Sequence, residues 1–255
     1  RQLRELETSL DASKRNYLKG AWRYVRHKWR RRGVVSAQNV MSSVMEGVGR
    51  VASEIVEKTN KKVTDDVLES IAAFLQPGDV IITRHAKALT NLFMPGFWPH
   101  AAFYVGPQER RAADKCVLEA RKDGVLFRPL HDTLSVDAFV VLRPNLGEES
   151  IAQAIARAFM HEGKMYNFDF DFFNSDRVVC TELVYRSYDG LDGLQIPLVD
   201  HAGRRVLSAE QFLDFALDTR AFTPVAIFGV EGCETEVLYG TGVGDALLTS
   251  YRNTS

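Results

Sequence analysis

An α+β fold is predicted for this 255-residue chain by three features of its sequence. Residues 1 to 75 contain no proline and space their apolar residues by three and four. From Pro77 onward, short β-branched or aromatic runs follow one another between Gly and Pro. Helical spacing then returns from residue 148. Helices and strands are thus largely segregated, with a sheet between two helical regions.

The first region reads as two or three helices, with Leu18, Trp22, Val25 and Trp29 on one side of one of them. Nine Lys or Arg and no acidic residue lie between Lys14 and Arg32. This bias admits three readings: a solvated face whose tryptophans pack inward, a membrane-surface helix, or a nucleic-acid contact. The texture changes at Pro77-Gly78, which divides the chain into a helical region, 1–75, and a main domain, 76–255. "GDVIITR", "HAAFYVG", "CVLEA", "GVLFRP" and "AFVVLRP" read as consecutive antiparallel strands. Residues 148–162, 178–188, 208–218 and 244–252 read as helices, and "TPVAIFGV" as a strand.

The composition, 45% hydrophobic and 25% charged, suits a globular protein able to bury a sizeable core. A net charge of -1 gives no global attraction to nucleic acid, and no nucleic-acid partner is expected. Cys116, Cys180 and Cys233 are too few and too irregular for a disulfide framework or a zinc site, so no metal or other cofactor is indicated. No run approaches the roughly 18 apolar residues of a membrane-spanning helix. Residue 1 is an arginine in an already charged segment, and a removed leader would leave no trace; location stays open.

A thiol becomes a nucleophile where its thiolate is stabilised, by a helix N-terminus or a neighbouring imidazolium. Cys180 follows the turn and cap formers Asn174, Ser175 and Asp176 and precedes "TELVYRSY", which continues at helical spacing. It should therefore lie in a helix's first turn, where unpaired N–H groups favour negative charge, and its own N–H suits an oxyanion. Cys116, inside an apolar strand, and Cys233, in a Gly- and Glu-rich loop, read as buried structural cysteines.

Of the six histidines, His100 stands at a strand start behind a proline, with Ala101 and Ala102 leaving space beside it. Alternation puts His100, Ala102 and Tyr104 on one face. Glu119, in the apolar run "CVLEA", is an acid where acids are costly unless paired. A carboxylate bonded to one ring nitrogen would fix the imidazole tautomer and leave the other nitrogen for the thiol proton. On the residues alone, a strand histidine satisfied by an ordinary partner competes with this triad.

The runs "PGDVIITR", "WPHAAFYVG", "VLEARKDGV", "GKMYNFDFDF" and "RVVCTELVYRSY" together resemble the YiiX-like family of permuted papain-fold cysteine hydrolases, within the NlpC-type superfamily. The resemblance covers roughly residues 76–230. It implies a circularly permuted papain-like fold in which the order is His, Glu, Cys, with Cys180 as nucleophile, His100 as base and Glu119 as orienting acid. Thr181 departs from it, since many relatives have serine there. Residues 1–75 resemble nothing of the kind. The resemblance implies amide substrates, such as peptide or cell-wall peptide bonds, in a bacterial cytoplasm or cell envelope. Permuted relatives also act on lipid esters as hydrolases or acyltransferases, and a binding module that retains the pocket without turnover is a further alternative.

Tyr166 reads either as a pocket or oxyanion group or as a core aromatic, and Tyr104 and Trp98 are its companions as candidate substrate-binding residues. Asp169 and Asp171 alternate with phenylalanines and read as solvent-facing. The segment 86–99, "AKALTNLFMPGFWP", suits a lid, an acyl-chain surface or packing on the N-terminal helices. "GTGVGDA" lacks the full dinucleotide spacing and leaves too few residues for a βαβ unit. A Cys180–His201 pair leaves too little chain between the two for the unpermuted order of strands.

Overall fold

The computed structural model describes residues 62–84, 97–109, 111–167, 177–201 and 204–252. The basic segment 14–32, most of the apolar segment 86–99, Asn174 to Asp176, and Asp169 with Asp171 lie outside them.

The first described helix, α1 (Asp65–Phe74), starts where Thr64 accepts the Val67 N–H and Asp65 and Asp66 sit in the first turn, where the helix dipole favours acids. Val67 and Ile71, one turn apart, bury the inward face. The helix stops at Leu75, ahead of Gln76-Pro77-Gly78. Gly78 has φ 100°, and a Cβ there would meet Ile151 at 2.7 Å, so this entry to the sheet requires glycine. The adjacent Asp79 is fully buried, takes two hydrogen bonds from Arg143 (2.9 and 2.8 Å) and caps Gln76 N–H.

The strands β1 (Val80–Arg84), β2 (His100–Tyr104), β3 (Lys115–Arg121), β4 (Gly124–Pro129), β5 (Ala138–Pro144), β10 (Phe222–Phe228) and β11 (Leu238–Tyr239) form one sheet. Its order is β11-β10-β5-β1-β2-β3-β4, antiparallel at every pairing. In β10, Pro224 has no N–H for the ladder, and the register against β5 slips between Pro224 and Ala226. The β3–β4 hairpin turns on Lys122 and Asp123, with Arg121 opposite Gly124. Gly124 has φ 104°, and a Cβ there would come within 2.7 Å of the Lys164 carbonyl. Glycine thus lets the loop that leads to residue 166 lie against the hairpin.

Two apolar clusters cover the two faces of the sheet, as period-two alternation requires. Ile81, Ala102, Tyr104, Val117, Phe139 and Val141 face α1 and the short α2 (Leu130–Thr133). Val80, Ile82, Ala101, Phe103, Leu118 and Val140 face the other helices: α3 (Glu148–Phe159), α4 (Cys180–Tyr188), α5 (Ala209–Thr219) and α6 (Val243–Arg252). A reciprocal cap between Ser208 and Gln211 starts α5, and Arg220 at φ 56° ends it. Two small ribbons complete the described strands: β6 (Met165–Tyr166) with β7 (Arg177–Val178), and β8 (Val199–His201) with β9 (Arg204–Val206).

The segregated α+β pattern is what the sequence predicts, and each predicted strand run is a strand. The helix expected over 178–188 starts two residues later, because Val178 pairs with Tyr166 in β7. Its N-cap is Val179, not one of the polar residues Asn174 to Asp176.

Candidate active site

The site forms where β2 and β3 part. These strands pair only at Phe103–Leu118 and Tyr104–Val117, so the end of β2 nearest His100 has no β3 partner. Tyr104 N–H bonds Asp79 on the β1 side. Alternation aims Ala102 the same way and Ala101 toward the gap. The N-terminus of α4 packs against β2 and β3 there, bringing Cys180 to the Ala101 N–H.

Val179 has no side-chain oxygen to cap α4, and the helix solves this through Glu182. Its carboxylate accepts the Val179 N–H at 3.2 Å and is itself paired with Arg186 at 2.7 Å. Of the first-turn N–H groups, that of Thr181 is turned to the sulfur. Cys180 Sγ accepts hydrogen bonds from Thr181 N–H and Ala101 N–H and lies in hydrogen-bond contact with the His100 ring. Burial disfavours a thiolate here, but the imidazolium and the two backbone donors outweigh it, and the Cys180 pKa falls below its ordinary 9.0.

On the ring's other side, His100 Nε2 lies 2.6 Å from Glu119 Oε1. With Nε2 so engaged, Nδ1 is the nitrogen that remains for the thiol. Burial penalises the charged ring, but Cys180 and Glu119, one on each side, raise its pKa from 6.5 to about 9.

Glu119 is fully buried. Its second oxygen, Oε2, receives Arg121 Nε at 2.8 Å and Thr133 Oγ1 at 3.3 Å, with Arg128 Nε 3.4 Å away. Burial pushes its pKa up, but the His100 hydrogen bond and charge, with Arg121 behind, bring it down from 4.5 to about 2. Glu119 thus stands beside three basic side chains, those of His100, Arg121 and Arg128.

These features make a chain of buried carboxylate, half-buried imidazole and buried thiol at a helix start. Residues 74–229 match the family described as permuted papain-like amidase enzyme, YaeF/YiiX, C92 family. The chain belongs to this family. It is accordingly a papain-like cysteine hydrolase of the amidase type, on the permuted papain-like α+β fold. Among solved structures, it is similar to a crystal structure described as metalloprotein yiiX from Escherichia coli O157:H7. That match has 22% identity and a TM-score of 0.41, and covers 69% of this chain and 94% of the other. No curated protein matches. Among the described residues of this family member, no group of three or more His, Cys, Asp or Glu is placed to hold a metal ion, so no step is derived through one.

The other candidate residues of this C92 family member fall in different places. Tyr166, half-buried on β6, lies near enough to Cys180 that the thiolate's charge adds to burial in raising its phenol pKa well above 10. Tyr104 sits at the far end of β2 from His100, buried on the α1 side of the sheet close to Cys116 and Asp79. Trp98 is also buried; its indole donates to Ser250 Oγ at 3.1 Å and its backbone N–H to Glu210 Oε1 at 3.2 Å, which anchors the chain just before His100. Cys116 and Cys233 are buried thiols whose pKa burial pushes up.

The sequence reading missed Arg121, Arg128 and Thr133 around the carboxylate, and Ala101 N–H at the sulfur. A signal existed for the first: Arg121 follows Glu119 by two residues on a strand and so shares its face. Arg128 and Thr133 arrive through the hairpin and α2.

Proposed function

We propose that this chain cleaves amide bonds of a peptide or cell-wall peptide through an acyl-enzyme on Cys180. His100 acts as the acid and base, and Glu119 fixes the ring. The observation that carries the reading is the line from the buried Glu119 Oε1 to His100 Nε2, 2.6 Å, and on to the Cys180 sulfur at the start of α4.

In this reading the thiolate attacks the carbonyl carbon, and the C=O pair moves to oxygen. In this reading the Cys180 N–H, at the first position of α4, and the Tyr166 phenol serve as donors to that oxyanion. As the tetrahedral adduct collapses, the C–N bond breaks and His100 passes its proton to the leaving amine. His100 then takes a proton from water, whose oxygen attacks the thioester and releases the acid. Glu119 stays ionised throughout, which its low pKa supports.

The test is intact-protein mass spectrometry after incubation with cell-wall peptides and, separately, with phospholipid. A peptidyl mass on Cys180 in the first, absent from Cys180→Ala, is expected. A fatty-acyl mass alone would replace amides with lipid esters as the substrate class. The absence of any adduct, with no product in either mixture, would leave the pocket a binding site.

A further inference from the structure

The two oxygens of Glu119 have different company. Among the described residues, Oε1 meets the imidazole alone, whereas Oε2 is held by Arg121 Nε, Thr133 Oγ1 and the more distant Arg128. A single buried carboxylate facing an imidazolium needs no second cation for charge balance. With Asp123 counted, the thiolate and the two carboxylates carry three negative charges against three positive ones on His100, Arg121 and Arg128, with Arg128 answering Asp123 and Arg121 facing Glu119.

Arg121 is the nearer of the two guanidiniums. It is anchored from the other end, its Nη2 donating to the Asp132 carbonyl at 3.2 Å. Arg128 is committed to Asp123 across the hairpin. The guanidinium of Arg121 is therefore a fixed positive charge on the carboxylate oxygen turned away from the ring.

We propose that Arg121 is a positioning residue that acts through Glu119: by drawing charge toward Oε2, it weakens the hold of Oε1 on the His100 proton, so that the imidazolium gives that proton up to the leaving amine. The problem it solves is set by the site itself. A ring flanked by a thiolate and a bare buried carboxylate would bind its proton too tightly to be a good acid. The charged and titratable groups facing this pair are Cys180 on α4, Arg121 on β3 and Arg128 on β4, with the neutral Thr133 on α2; Tyr166 on β6 faces the sulfur. Removing a cation from this set raises the proton affinity of every member.

A purely structural Arg121 makes the opposite forecast. If its loss merely let Glu119 swing away, His100 would lose its anionic neighbour and bind its proton less tightly.

The inference rests on the proposed triad, and the test separates the two. The His100 titration is followed by NMR on the histidine-labelled full chain, with the signal assigned by its absence from His100→Gln. Arg121→Gln and Arg121→Lys are compared with the wild type, alongside kcat against pH. Arg121→Gln is expected to move the His100 titration and the alkaline limb of kcat upward by about half a pH unit, with kcat reduced about 2- to 3-fold. Arg121→Lys is expected to restore both. A raised wild-type titration that Arg121→Gln leaves in place, or lowers, overturns the proposal and spares the triad. A wild-type His100 that titrates near 6.5 overturns both.

Discussion

His100 and Glu119 lie 19 positions apart in sequence and meet at 2.6 Å, Nε2 to Oε1, with the glutamate completely buried. They reach each other because they stand on the same face of neighbouring strands, at the end where those strands stop pairing. That gap admits the start of α4, and each of the following predictions turns on it.

Cys180 should alkylate with iodoacetamide well below the ordinary thiol range of roughly 8.5. Cys116 and Cys233, buried with raised pKa values, should stay unlabelled at neutral pH in the folded protein. Peptide mapping of the labelled sites across pH provides the measurement. His100→Asn should return Cys180 to slow, ordinary labelling. Equal, slow reaction of all accessible thiols in the wild type would refute the ion pair.

Glu119→Gln should lower kcat/KM by at least about 10²-fold, because the amide neither supports an imidazolium nor fixes its tautomer unambiguously. The His100 titration should fall from about 9 toward 6.5. Stability should drop by about 2 kcal/mol at neutral pH, since Arg121 and Arg128 lose their buried anion but keep some access to water. The sign with pH follows from the depressed folded value. The wild-type advantage is complete above pH 4.5 and shrinks as pH falls through about 2. Urea midpoints of both proteins across that range would expose a constant difference, which contradicts the assignment.

His161, in the turn after α3, is buried, and its Nδ1 finds no hydrogen-bond partner among the described residues. Burial, followed by the charges of Lys164 and Arg186, lowers its pKa from 6.5 to about 4. A histidine buried neutral stabilises the fold above pH 6.5 and loses that contribution as pH falls through about 4. The wild type should therefore lose about 2 kcal/mol over this range that His161→Leu does not lose. Parallel urea midpoints for the two from pH 6.5 to 4 would show that His161 is not the group responsible.

Much of this site is legible in the residues because it is built from local rules. "VVCTELVYRSY" announces a helix opening on a cysteine, and an acid within "CVLEA" announces a buried partner. The cap was misread because the compensation is unusual: Val179 offers no oxygen, and Glu182 reaches back instead. Trp98 and Tyr104 were candidates by sequence proximity to His100. Tyr104 shares the His100 face but stands at the other end of β2, and Trp98 is tied to Ser250 and Glu210.

The sequence by itself determined the order of elements, the strand faces and the placing of Cys180 in a helix's first turn, since these follow from periodicity and from the flanking residues. Only the tertiary structure decided how the charges balance. Arg128 and Thr133 approach Glu119 through a hairpin and a short helix, and the Ala101 N–H reaches the sulfur because β3 leaves β2 at that point. A one-dimensional pattern records which residues share a face. It does not record where two strands part, and here that parting lets a thiolate, an imidazolium and a twice-neutralised carboxylate share one buried corner.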